Sequence, residues 1–128
     1  MKICVSASSN SLDADVDSRF GRCPYFVIVD SDTMEFDVVS NNSTNASHGA
    51  GIQAAQTVVN SGAKVIITGN VGPNAFKVLS ATGIKVITGV SGSIRSAVEK
   101  YNNCELHETT NPTVGGHFGM GKGAGKPQ

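Results

Sequence analysis

The residues best equipped for chemistry fall in the run Asp17-Ser18-Arg19-Phe20-Gly21-Arg22-Cys23-Pro24. A thiol close to two guanidinium groups is in a setting that favours thiolate, the form that ligates metal. A second candidate ligand, His48, immediately precedes Gly49-Ala50-Gly51 at the start of a predicted helix. Its imidazole suits either a metal ligand or an ordinary loop residue, and the sequence leaves both open. Cys23 and His48 are therefore the candidate metal ligands. Cys104 and His107 have C-x-x-H spacing, but no second pair completes a site around them. Cys4 lies mid-strand and reads as a small buried hydrophobe.

Three cysteines at unrelated spacings exclude a four-thiolate cluster or zinc site within one chain, and they fit a reducing compartment rather than a disulfide framework. What the sequence offers instead is a way to hold an anion. Thr68-Gly69-Asn70-Val71-Gly72 and Thr88-Gly89-Val90-Ser91-Gly92 each end a predicted strand and open a predicted helix. Backbone N–H groups at helix N-termini attract negative charge, and Arg19 and Arg22 add to the attraction. The turns lack the full G-x-G-x-x-G of dinucleotide sites and the Gly-Lys-Ser/Thr of a P-loop. Taken singly, each is equally well explained as a tight strand-to-helix turn.

The elements that must position these residues can be read from periodicity. Residues 3–7, 25–29 and 35–40 read as strands, the last two joined by Asp30-Ser31-Asp32-Thr33 as a hairpin. A helix is predicted over 50–60, with Ile52, Ala55 and Val59 on its apolar face and Gly62 beyond its end. A strand over 64–68, a helix over 73–81 begun by Pro73, and a strand over 85–88 follow. The final helix carries Ile94, Ala97, Val98 and Tyr101 on one face, with Ser91 or Ser93 as N-cap. The segments 62–72 and 83–92 repeat weakly, as successive βα units of a parallel sheet do. The order is βββαβαβα. If the second strand is antiparallel, the first loop, the 41–48 loop and both glycine turns share the carboxyl edge of the sheet, where ligands bind. Arg19, Arg22, Cys23, His48, Gly49, Gly69, Gly72, Gly89 and Gly92 are thus expected around one cleft.

Composition bounds the rest. The chain has 128 residues, 39% hydrophobic and 5% aromatic, which suits one α/β domain. Lys+Arg and Asp+Glu are equal at 10 each, so there is no electrostatic footprint for nucleic acid or an anionic membrane surface. No signal peptide and no apolar run long enough to span a bilayer is read, so a cytoplasmic location is expected. The domain is assigned to residues 1–111. From Pro112 to Gln128 the glycine-rich sequence, which includes His117 and Met120, predicts a flexible tail.

Three segments in order, Arg19-Phe20-Gly21-Arg22-Cys23-Pro24-Tyr25-Phe26, His48-Gly49-Ala50-Gly51 and residues 62–75 (GAKVIITGNVGPNA), resemble the NifX/NifB-type dinitrogenase iron–molybdenum cofactor biosynthesis family, in its small stand-alone form. The resemblance runs from Met1 to about Tyr101. It implies a three-layer ribonuclease-H-like motif with a mixed five-stranded sheet. It also implies binding or transfer of an iron–sulfur cluster or an iron–molybdenum cofactor precursor between donor and acceptor proteins. The C-x-x-x-C-x-x-C of a radical enzyme domain is missing, so a non-catalytic carrier module is expected, as monomer or weak homo-oligomer. A nuclease reading fails because the first strand, Lys2-Ile3-Cys4-Val5-Ser6-Ala7, carries no carboxylate for two-metal chemistry, and Asp13, Asp15 and Asp17 read as solvated loop residues. Two rivals stay open: a module for a phosphorylated metabolite or nucleotide at the same turns, and a regulatory interaction protein with a vestigial cleft.

Overall fold

The computed structural model describes residues 1–41 and 49–113. Strands β1 (Lys2–Ala7), β2 (Tyr25–Asp30) and β3 (Phe36–Ser40) precede helix α1 (Ala50–Asn60). Then follow β4 (Val65–Ile67), α2 (Pro73–Ala81), β5 (Lys85–Ile87) and α3 (Ile94–Asn102). The five strands form one mixed sheet in the order β3-β2-β1-β4-β5. β2 runs antiparallel to both β1 and β3, and β4 is parallel to β1 and to β5.

The pleat sorts the strand side chains into two cores. Cys4, Phe26, Ile28, Ile66 and Val86 point to the face covered by α1 and α2. Ile3, Val5, Val27, Val29, Val65, Ile67 and Ile87 point to the face covered by α3, whose Ile94, Ala97 and Val98 are buried as the periodicity predicts. Because β1 and β4 are covered on both faces, their sequences read as unbroken apolar runs rather than alternating ones.

Helix α1 departs from the expected face. Its buried residues are Ala50, Ala54, Ala55 and Val58, while Ile52 is 39% exposed. Small side chains bring the helix close to its neighbours: a carbon on Gly51 would stand 3.3 Å from the Cβ of Ala75 in α2. Close approach, not side-chain bulk, selects the buried face here. The loop between β1 and β2 folds back on the sheet, with the Asp17 N–H donating to the Ser6 carbonyl at 2.8 Å. The buried Ser6 hydroxyl lies 2.6 Å from the Asp17 carbonyl and 2.7 Å from Thr68 Oγ1.

Beyond α3 the chain returns along the open side of β5. The Thr109 N–H donates to the Val86 carbonyl at 2.6 Å, and Thr109 Oγ1 accepts from the Thr88 N–H at 3.0 Å. Thr113, in the segment read as tail, exchanges bonds with Val71: its N–H donates to the Val71 carbonyl at 2.9 Å and its Oγ1 accepts from the Val71 N–H at 2.8 Å. His117 and Met120 lie outside the described residues.

Candidate functional site

The antiparallel β2 turns the chain so that the loop after β1, the start of α1 and the β4–α2 turn meet at one end of the sheet. Between them lies a cleft of about 470 Å³, lined by residues 18–22, 49–52, 70 and 72–75. That size suits a small-molecule or cofactor site.

Each wall is fixed by identifiable contacts. The 17–20 loop is stitched to the β4–α2 turn: the Asn70 N–H donates to the Ser18 carbonyl at 2.8 Å, and the Phe20 N–H to the Asn70 carbonyl at 3.3 Å. Only glycine allows this approach at position 69, where a Cβ would fall 2.5 Å from Ser18 Cα. Phe20 anchors the loop in the core against Phe26, their rings 5.5 Å apart. Gly21 rests on the first turn of α1, where a Cβ would be 3.1 Å from the Gly51 backbone. The buried Asn41 side chain donates to the Cys23 carbonyl at 2.8 Å and to the Gly21 carbonyl at 3.4 Å. Asn41 holds the loop's shape without touching the cleft, and nothing in the sequence marks it for this.

The electrostatics favour an anion. Helices α1 and α2 begin at the cleft, and neither has a side-chain cap or an acidic residue in its first turn. The first intrahelical bonds are made by the Gln53 and Phe76 N–H groups. The N–H groups of Ala50, Gly51, Ile52, Asn74 and Ala75 have no partner among the described residues and carry the positive ends of two helix dipoles. Arg19 and Arg22 stand on the rim. Arg19 is engaged by Asp17, which is buried and not solvated as expected: Nε and Nη2 donate to the carboxylate at 3.1 and 3.0 Å. This pairing raises the Arg19 pKa further.

The predicted site residues divide. Arg19, Arg22, Gly49 and Gly72 line the cleft together. Cys23 does not. It is fully buried in the α1–α2 core, its thiol donating to the Phe20 carbonyl at 3.3 Å. Burial first, then the nearby Asp17 charge, push its pKa up to about 12, so the thiolate expected from the flanking arginines is disfavoured. Gly69 packs beneath the cleft. Gly89 and Gly92 belong to the α3 side: the Gly92 carbonyl accepts from the Val16 N–H at 2.8 Å, and Ser93 caps α3 by accepting from the Ser96 N–H. Two helix N-termini therefore converge, not three. His48 lies outside the described residues, and among those described no three His, Cys, Asp or Glu side chains gather as a metal site. Sequence reasoning passed over Ile52, Pro73 and Asn74 as lining residues, although GNVGPNA contains two of them.

A five-stranded mixed sheet, with a cleft at its loop end that no carboxylate lines among the described residues, defines a small α/β protein. The chain belongs to the dinitrogenase iron–molybdenum cofactor family, whose model matches residues 1–103. It is 43% identical to the apo form of the orange protein from Desulfovibrio gigas, with a TM-score of 0.86 over 88% of this chain and 96% of that one. A Thermotoga protein of the DUF35 family, provisionally named a NifB protein, is 32% identical with a TM-score of 0.77 over 90% of this chain and 98% of that one. An uncharacterized protein of Methanocaldococcus jannaschii is 32% identical over 111 residues, which are 84% of this chain and 91% of the relative. No helix among the described residues is long and apolar enough to cross a membrane.

Proposed function

We propose that the cleft receives an iron–sulfur cluster or an iron–molybdenum cofactor precursor and carries it, in the cytoplasm, from a donor protein to an acceptor. The observation that carries this reading is the pair of uncapped helix N-termini facing one cleft without a first-turn carboxylate. Membership of the cofactor family and likeness to an apo-form protein support it. The ribonuclease-H-like motif belongs to the same reading, supported by the element order and the 3-2-1-4-5 sheet.

A metal–sulfide cargo with its valences filled needs charge and shape complementarity more than ligation. That fits walls made of backbone N–H groups, Arg22, Ile52 and Pro73, with Cys23 withdrawn into the core. Holding by hydrogen bonds and charge keeps release fast, as transfer requires. The lining also contains no Asp, Glu, His, Cys or Lys among the described residues, hence no group suited to general acid–base work.

The test is anaerobic titration with a synthetic [4Fe–4S] thiolate cluster and with extracted iron–molybdenum cofactor, followed by visible absorbance. Saturable spectral change is expected, weakened by Arg22→Ala and by salt. Cys23→Ser should retain binding. No spectral change, with phosphorylated metabolites shifting the amides of Ala50–Ile52 and Asn74–Ala75, would replace the cluster reading by the metabolite one.

A further inference from the structure

The two edges of the sheet are treated differently. β5 is covered by the chain's own 103–113 segment through Thr109. β3, the other edge, has no such cover among the described residues. The bonds Asp30 N–H to Glu35 carbonyl and Asn41 N–H to Pro24 carbonyl set the alternation of the β2–β3 ladder. In an antiparallel pair every second residue bonds inward, so Phe36, Val38 and Ser40 direct their N–H and C=O groups away from the sheet.

The side chains along this edge are of two kinds. Phe36 and Val38 share the face of the buried Val29 and Val27, yet they are 40% and 37% exposed, an apolar strip continuing the α3-side core. On the opposite face Asp37 stands across from Ile28, beside a cavity of about 580 Å³ also lined by Lys2, Asp30 and Glu35. Asp30 is occupied by turn N–H groups of Asp32 and Thr33 and lies 4.0 Å from the N-terminal ammonium. Glu35 and Asp37 have no ion pair with any described residue.

We propose that β3 is the docking edge for an extended segment of a partner protein in which apolar residues alternate with Lys or Arg. Added as a sixth strand, such a segment pairs its backbone with Phe36, Val38 and Ser40. Its apolar side chains lie against Phe36 and Val38, and its cations reach Glu35 and Asp37 on the other face. Charge decides against a second copy of this chain. β3 contains Asp37 and no cation, so self-pairing would set two like charges diagonally across the new ladder. The inference is independent of what the cleft carries.

The experiment uses the ¹⁵N-labelled full chain and the peptide acetyl-KVKVKVK-amide, with acetyl-EVEVEVE-amide and a backbone N-methylated KVKVKVK as controls. The basic peptide is expected to shift the Phe36, Val38 and Ser40 amides, and raising salt from about 0.05 M to about 0.3 M should weaken it. Asp37→Lys, at an exposed site, should leave the fold intact and weaken binding roughly fivefold. The two controls should not bind. Equal binding of EVEVEVE or of the N-methylated peptide, or shifts confined to other residues, would overturn the proposal. So would sedimentation showing a dimer that itself protects the β3 amides.

Discussion

One methyl group at Gly69 would collide with the Ser18 backbone, whose Cα would lie 2.5 Å away. Gly69→Ala is expected to cost about 2–3 kcal/mol, measured by urea unfolding, because backbone and not a flexible side chain must move. The thiols sort by depth in the same way. Cys4 and Cys23 are buried and Cys104 is exposed, so an aromatic disulfide reagent should modify one thiol quickly in the native protein and all three after unfolding. Burial raises the Cys4 and Cys23 pKa values, the second to about 12, whereas an unfolded thiol titrates near about 8.5. Below about pH 8.5 both states keep these protons and stability is unaffected by them. Above it the unfolded state loses protons first, and stability falls by up to about 1.4 kcal/mol per pH unit per thiol until the folded pKa is reached. Unfolding at pH 7 and pH 10 should show this slope, reduced in Cys23→Ala. The sequence placed Cys23 beside arginines correctly but could not show that the thiol turns inward, since neighbours in sequence do not reveal which side of a loop faces the core.

At the scale of elements, α2 begins without a side-chain cap. Gly72 has φ −81° and ψ 173°, an extended backbone that any residue adopts. Gly72→Asp should cap the helix, raise stability by about 0.5–1 kcal/mol, and weaken anion binding by placing a carboxylate where the cargo belongs. Melting and cluster titration on the same variant check both halves. The returning 103–113 segment makes an opposite prediction. Thr113→Val removes the acceptor of the Val71 N–H and should cost about 1–2 kcal/mol. α3 was legible because its apolar residues recur at helical spacing; Pro73 marked the start of α2, and of the two cap candidates Ser91 and Ser93 the second is the cap. The buried face of α1 was not, because alanines pack there and the larger Ile52 faces out; a reading weighted by bulk selects the wrong stripe.

For the whole molecule, the antiparallel placement of β2 is the step that brings the first loop to the glycine turn of α2, and the alternation of apolar runs and turns made that step readable. Which glycine turn serves the cleft depends on the sheet face that each helix covers. Gly89 and Gly92 lead to α3 on the far side, a distinction the weak internal repeat conceals. The five N–H groups at the starts of α1 and α2 that lack a partner among the described residues have one more consequence. A bound anion supplies the acceptors that the chain withholds, so cargo and fold are thermodynamically linked: occupancy at 100 times the dissociation constant adds about 2.7 kcal/mol to stability. Under the proposed carrier role, the empty protein is expected to be the looser one, with its two helix starts more open to exchange and proteolysis, and the loaded protein the tighter. A donor and an acceptor of the kind proposed would then tell the two apart by rigidity alone, without reading the cargo itself.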